Sequence, residues 1–498
     1  MRRFWAVTRA TVLECLRSKF AVVFAALLAV CVLGVGLSFK GDGTLRGRIQ
    51  TFLDYSTTLT QLLLGLLTLL LATFVTARDM RDKTVFTVAS KPLSRPAYVA
   101  GRWLGIVLLD AVLLLAALAA IYALAQYLRS LPTAMERDKR VGRLPADAWD
   151  PDRQAVESEV FTARMMIKPD PFDVDELVQQ QKQRLLEEAD QEQLIRDQIR
   201  SRLALRDRRG TPDEAEVERQ AGNPAIREEI LSQIESHLRR RIVEELRLVQ
   251  PGQQLPLIFS GVRPPAGRRE LLKLRYKFYA IRRPQSGLVK SLWVAENPQK
   301  GRQFEWRDDP VDAASTWEIA PEAVTDDHRL LVFYQNGPEN PTAVKILPDE
   351  ITLLYRVGGF EANLAHAAAL MLVRLMFLAA CGVLFGVWMT FPVAALTCLI
   401  IFFLGCMGHF VQEATKLSPY SDRGVLDYTS YALARFAFFF MPNLPLVSSP
   451  ADALRDGTVI SWRVLAAEAL TGTGLRALAG LVLGSLIFWR KELARVQV

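Results

Sequence analysis

Hydrophobic positions along this chain gather into two blocks held apart by a long polar stretch. Apolar runs fill roughly residues 20–128 and 366–489, while 129–365 has an ordinary globular mixture. A helix needs about 20 apolar residues to cross the hydrocarbon core of a bilayer. Residues 20–38, 59–77 and 104–128 reach that length. So do two runs within 366–411, divided at Thr390-Phe391-Pro392, and a weaker run at 470–489. The pattern predicts an α-helical polytopic membrane protein with six transmembrane helices and an inserted α+β extracytoplasmic domain.

The polar block changes period part-way. Between 172 and 249 it is helical and heavily charged; Ile226, Ile230, Ile234, Leu238, Ile242, Leu246 and Val249 form a stripe mostly at i, i+4 spacing. An earlier helical piece runs over 174–205, and RDRRGTPDE (206–214) supplies the turn between them. Two readings stand: a helical hairpin packed on its neighbour, or an arm projecting toward an extracytoplasmic partner. From 255 to 357 the period falls to two. LLKLRYKFYAI alternates apolar and basic residues, and GLVKSLWVA, STWEIA, RLLVFYQNG and ITLLYRVGG follow between turn residues. This predicts a β-sandwich. Trp293, Trp306 and Trp317 sit at strand positions, where aromatic residues either fill the core or stack on a carbohydrate.

The expected order is therefore an amphipathic segment (1–19), three spans (20–128) and a helical arm (129–250). A sandwich (251–361), spans four and five (362–412), short re-entrant or interfacial helices (413–469), and a last span with its tail (470–498) follow. The stretch 413–469 is too polar to cross twice, and YALARFAFFFMP (431–442) is short for a span.

Net charge is +8, which invites a nucleic-acid reading until its distribution is considered. Residues 129–365 hold 37 basic and 40 acidic residues, leaving 24 basic and 13 acidic residues around the spans. The excess flanks membrane segments, as the positive-inside rule expects, and forms no nucleic-acid groove. The N-terminus, the 78–103 loop and the tail together carry 14 Lys/Arg, against three in the 39–59 loop. These facts agree on both termini and the 78–103 loop being cytoplasmic, with 129–365 outside; the expected location is the cell inner (plasma) membrane.

The basic N-terminus followed by an apolar run has the outline of a secretory signal, but the run is long enough to span and lacks a small-residue cleavage site. It reads as an uncleaved first span. Ahead of it, Trp5, Val12, Leu13 and Leu16 share one helical face; Arg3, Glu14 and Arg17 lie roughly opposite, and Arg9 interrupts the apolar face. That suits a helix in the membrane interface, with a frayed terminus as the alternative. All five cysteines fall in or beside apolar runs, so no disulfide framework or metal-ligand spacing is legible. Four histidines are scattered; HExxH, GxSxG and a Walker A loop are missing. The chain is expected to be no enzyme, to hold no cofactor or metal, and to lack an ATPase site of its own.

The segment RDMRDKTVFTVASKPLSRPAYVAGRW (78–103) lies between the second and third spans with six Lys/Arg. Residues 79–90 can form a short helix that KPLSRP ends, because proline removes a donor and restricts its predecessor. A second helical turn, 97–103, leads into the next span. This segment resembles the cytoplasmic loop of type-2 ABC transporter permeases through Asp82, Lys83, Thr84, Ala89, Ser90, Lys91, Pro92, Leu93, Ser94, Arg95, Tyr98, Gly101 and Arg102. The amphipathic N-terminus is similar to that family's elbow helix. MPNLPLVSSPADALRDGTVISW (441–462), a last span and FWRKEL (488–493) resemble its carboxy-terminal pattern. The resemblance covers about 1–128 and 366–498. An insert of more than 200 residues between spans three and four departs from it and leaves the substrate open.

The resemblance implies a coupling helix that docks on a separate ABC ATPase subunit, which binds ATP and Mg. The implied coupling residues are Arg81, Asp82, Lys83, Thr84, Val85, Val88, Ser90, Lys91, Pro92 and Arg95. It further implies a second permease copy, identical or not, beside membrane lipid; an extracytoplasmic partner is expected from the projecting-arm reading of the insert. The alternative is a membrane-anchored structural or sensory protein whose extracytoplasmic domain binds an envelope partner. A docking loop for an ATPase argues against a simple anchor, which needs one or two spans. Asp110 and Arg374 are the intramembrane charges, and such groups usually face protein or water; Arg374 could also snorkel outward. Gly382-x-x-x-Gly386 and Gly480-x-x-x-Gly484 are expected to pack helices closely.

Overall fold

A computed structural model describes residues 2–38, 41–82, 94–145, 147–188, 191–206, 214–265, 270–347, 350–406 and 449–490. In chain order the helices are α1 (Arg2–Leu16), α2 (Lys19–Ser38), α3 (Leu45–Arg81), α4 (Arg95–Ser130), α5 (Ala134–Arg140) and α6 (Pro151–Ala155). Strand β1 (Thr162–Ile167) precedes α7 (Asp175–Glu188), α8 (Gln191–Arg206), α9 (Glu214–Ala221) and α10 (Pro224–Leu246). After the strands described below come α11 (Phe360–Trp388), α12 (Phe391–Cys406), α13 (Pro450–Arg455), α14 (Trp462–Ala467) and α15 (Thr473–Arg490). The chain divides into two compact units, residues 1–165 with 357–498, and residues 166–356. Residues 129–165 thus belong with the membrane helices.

Four helices of the first unit are long and apolar enough to cross a membrane: α3, α4, α11 and the stretch Trp462–Arg490 that ends in α15. Helices α1 and α2 form a pair bent by 63°, which passes the same test when taken together. Helix α12 has 16 residues up to the limit of the described chain. The break between α11 and α12 falls where the sequence placed it: Met389 is extended and Pro392 sits in the first turn of α12. The interfacial segment 431–442 lies outside the described residues.

Two of these helices begin well before their apolar runs. Helix α3 starts at Leu45 rather than near 59, so most of the expected 39–59 loop is helical. Thr44 caps it by accepting from Gly47 N at 2.9 Å, and Asp152 accepts from Leu45 N at 2.7 Å and Arg46 N at 3.0 Å. Satisfying these first N–H groups lets a polar stretch stay helical outside an apolar environment. At its other end α3 runs on through Asp79 to Arg81, so those residues belong to the long helix and not to a separate short one. Helix α4 likewise starts at Arg95, with Pro96 in its first turn. Its last carbonyls are bound by Arg153, which donates to Arg129 O at 2.7 Å and Leu131 O at 2.9 Å. Asp152 and Arg153 therefore place opposite charges on opposite helix poles, a match to both dipoles.

Small residues set the packing. A Cβ on Gly382 would stand 2.4 Å from Ala72 Cβ, and one on Gly386 2.9 Å from Thr76 Cβ. Only glycine lets α11 approach α3 this closely. The second pair is looser, with Gly480 3.9 Å from Ala380. Along α1, Thr8, Thr11 and Cys15 face protein while Trp5, Leu13 and Leu16 are exposed. An exposed apolar face on a helix joined by a sharp bend to a hydrophobic one fits an interfacial position.

The second unit carries a helical part and a β part. Val174, Val178 and Ile242 form one cluster of the helical part; Ile195, Ile199, Val217, Ala221 and Ile230 form another, with Ile226 and Ile234 packed against it. The predicted stripe is thus the seam of α10, except that the helix ends at Leu246. Val249 lies instead in strand β2 (Leu248–Val249), opposite Val344.

The strands are β3 (Gln254–Ser260), β4 (Leu272–Tyr276), β5 (Phe278–Ala280), β6 (Leu288–Asn297), β7 (Gly301–Pro310), β8 (Ser315–Ile319), β9 (Arg329–Asn336), β10 (Val344–Ile346) and β11 (Thr352–Gly359). They pair antiparallel as β11-β4-β8, β2-β10-β5 and β3-β9-β6-β7. Faces of the first and third sheets meet through aromatic rings, with Trp293 4.2 Å from Tyr276, 4.9 Å from Tyr334 and 6.1 Å from Trp317 between centroids. Trp293 and Trp317 are fully buried, and so are core residues; Trp306 is half exposed. Burial pushes the Tyr276 phenol up, helped by its hydrogen bond to Asp309, and burial does the same to Tyr334.

Candidate coupling site at the base of the basic loop

Of the predicted coupling residues, Lys83, Thr84, Val85, Val88, Ser90, Lys91 and Pro92 lie outside the described residues. Arg81, Asp82 and Arg95 are described, and they flank a network built from the two ends of that loop. Its centre is Arg102, whose guanidinium meets Asp79 of α3 and donates to Glu14 of α1 at 2.7 Å and to Thr11 at 3.3 Å. The Tyr98 hydroxyl also donates to Asp79, and Arg102 Nε lies 3.3 Å from that hydroxyl. Asp79 and Arg102 are buried, at 6% and 9% exposure. Buried charges persist only when paired in this way.

The local sequence explains the assembly. Tyr98, Gly101, Arg102 and Gly105 follow i, i+3, i+4, i+7 spacing and so share one face of α4. A Cβ on Gly101 would come 3.0 Å from Val7 Cγ1, and one on Gly105 2.5 Å from Thr11 Cβ. The two glycines bring α1 against α4, within reach of Arg102. Sequence reading assigned Glu14 only to a polar face and gave Asp79 no partner. The Gly101-x-x-x-Gly105 spacing was the available signal.

Around this core the named residues act at the rim. Arg81 and Asp82 pair at 2.9 Å, while Arg78 lies 3.4 Å from Asp82 and 3.7 Å from Glu14. The hydrogen bond from Arg81 foremost, then its charge and Arg78, hold the Asp82 carboxyl below the usual range. Arg95 reaches the other way: it donates to Phe488 O at 2.9 Å and Trp489 O at 2.6 Å, the last carbonyls of α15. A cation there satisfies orphan acceptors and complements the helix pole. The Arg95 guanidinium also stands 5.6 Å over the Phe488 ring. The loop's two ends are thereby joined to α1, α3, α4 and α15.

The intramembrane charges are buried apart from one another. Asp110 is fully buried, and the Thr68 hydroxyl lies 2.9 Å from its Oδ2 and 2.7 Å from Leu64 O. Arg374 is 2% exposed and lines a cavity of about 180 Å³ with Thr58, Gln61 and Phe402. The two sites meet α3 seven to ten residues apart, roughly 10–15 Å along its axis. Compared with protein-family models, curated proteins and solved structures, the chain matches none.

Proposed function

We propose that this chain is the permease subunit of an ATP-driven transporter of the ABC type, working with a separate ATPase subunit that binds ATP and Mg. In this reading six segments cross the inner membrane, both termini and the 83–93 segment face the cytoplasm, and the second unit, read as an arm and a sandwich, lies outside. The observation that carries it is the network at the loop base. A push on the loop from a docked ATPase would act on Asp79 and Arg102 together, and through Glu14 and Arg95 on α1 and α15. A passive connection between two spans needs no such buried joint. The substrate is open, and the second unit would receive it, gate its exit or act on an envelope partner.

The test is co-purification. Val85→Asp or Val88→Asp should detach an ATPase subunit that accompanies the unaltered chain in mild detergent, with membrane insertion unchanged, because apolar residues carry most of the energy of a groove contact. An ATPase that stays bound to both variants, or none accompanying the unaltered chain, refutes the reading. Reporter fusions at residues 90 and 300 check the sidedness separately and should report opposite compartments.

A further inference from the structure

The outer face of the sheet β3-β9-β6-β7 is apolar where an exposed sheet face should be polar. Antiparallel sheets covered on one side alternate apolar-in with polar-out. Strands β4 and β8 of the other sheet follow that rule: Lys273 and Arg275 of β4 and Thr316 and Glu318 of β8 point away from the core residues beside them. The larger sheet does not. Its inward residues include Val289, Trp293, Val332, Tyr334, Leu257 and Phe259, all buried. The register then places Phe304, Val294, Phe333 and Pro256 in one apolar row across all four strands on the other face. Leu292 and Trp306 lie on one side of that row, and Leu331 and Ile258 on the other. Phe304 is 68% exposed, Trp306 49% and Ile258 41%. Runs such as LIF, LWVA and LLVFY, apolar at consecutive positions, are the signature of a sheet covered on both faces.

We propose that this face packs against the same face of a second copy of the chain. The choice of occupant rests on the reading of the chain as one of two permease copies, and two observations support it. First, the rim is neutral and already internally paired: Arg302 with Glu296 at 2.7 Å and Lys290 with Glu339 at 2.8 Å, with Asp308 and Arg329 balancing. A face with no net charge meets its own copy without like-charge repulsion. Second, the area is small. Four strands spaced about 4.8 Å apart and some six residues long give a face of roughly 400 Å². A stable complex between free proteins needs about 800 Å² per partner. A face of this size holds only a partner already tethered beside it, and a copy anchored in the same membrane is such a partner. A carbohydrate fits less well, because Lys290 already stands 5.7 Å over the Trp306 ring and the central row offers no hydrogen-bonding groups.

Cysteine cross-linking of the full chain in membranes tests this. The described native cysteines all lie in the first unit, so the unaltered chain sets the background. Phe304→Cys and Val294→Cys should each give a covalent dimer with a short bifunctional maleimide, while Lys345→Cys, exposed on another sheet, should not. Adding Phe304→Asp to the Val294→Cys chain should cut the dimer about tenfold by placing charge in the contact. Equal cross-linking from Lys345→Cys, a product with a different polypeptide, or no product at either face position overturns the proposal. Dimers at the face without a co-purifying ATPase would keep this inference and remove the permease reading. An ATPase-bound chain with no face dimer would do the reverse.

Discussion

Arg102 and Asp79 form an ion pair buried between the start of one long helix and the end of the one before it. Both side chains are largely shielded from solvent, and among the described residues Glu14 is the anion left beside Arg102 if Asp79 is lost. Asp79→Ala should therefore destabilise the fold, by less than the roughly 3–5 kcal/mol that a fully stranded buried charge costs, because Glu14 still faces Arg102. Thermal unfolding in detergent would measure it, and a midpoint unchanged from the parent chain would contradict the assigned pairing. Arg102→Lys should recover little, since one ammonium cannot reach Asp79, Glu14 and Tyr98 from a planar fork.

The Gly382/Gly386 and Gly480/Gly484 pairs should respond differently to one added methyl. Gly382→Ala puts a carbon 2.4 Å from Ala72 Cβ, a contact only helix displacement can relieve. An overpacking cost of about 1–3 kcal/mol is expected. Gly480→Ala meets Ala380 at 3.9 Å and should be neutral or slightly stabilising, as alanine favours the helix by about 1 kcal/mol. Equal melting shifts for the two variants would show that the tight seam is not where the structure has it.

Within the helical part of the second unit, Ile230 is 2% exposed in the seam, while Glu235 holds a partly exposed pair with Lys182 at 2.8 Å. Ile230→Asp should remove several kcal/mol, because the carboxylate is buried without a partner. Glu235→Lys should cost only about 0–1 kcal/mol. Limited proteolysis across residues 175–246 would compare them, with rapid cleavage expected for the first alone.

Tyr276 and Tyr334 make the second unit sensitive to alkali. Both are buried and held protonated above the ordinary value of 10.0, whereas in the unfolded chain they ionise near that value. Their contribution is complete below pH 10 and is lost as the pH rises past it, by up to about 1.4 kcal/mol per pH unit for each tyrosine. Near-ultraviolet circular dichroism against pH should show loss of tertiary signal above pH 10. Tyr334→Phe should shift that loss upward; an unmoved transition would assign it to other groups.

Much of the membrane unit was legible because length and composition alone mark a span. The apolar run at 104–128 lies within α4, the run from 366 to the Thr390-Phe391-Pro392 break makes up most of α11, and the break itself fell in place. Helix ends were not legible, because what holds them lies far away in sequence. Leu45 starts α3 through Asp152, 107 positions on, a contact no local window contains. The candidate site shows the same division. Arg81, Asp82 and Arg95 could be named from their segment, whereas Asp79 became a partner of Arg102 only when α3 packed on α4, and Glu14 only when α1 did. Period two marked β6, β8, β9 and β11, but it read 271–281 as one strand where the chain divides it between β4 and β5 of different sheets. It also could not tell which Trp faces the core, since Trp293 and Trp306 both sit at strand positions.

The pairing of Asp152 and Arg153 with the far poles of α3 and α4 has a mechanical consequence. These two helices are joined by charge at both ends: Asp79 to Arg102 near the loop, and the adjacent Asp152 and Arg153 at the opposite end. A hairpin stapled at its tip and its root cannot shear, so it must swing as one piece. Helix α3, 37 residues long, is a staff of about 55 Å, well beyond the roughly 30 Å of bilayer hydrocarbon. A tilt of about 5° at one end would carry the other through roughly 5 Å, so under the proposed function the hairpin would serve as a lever with its handle at the loop.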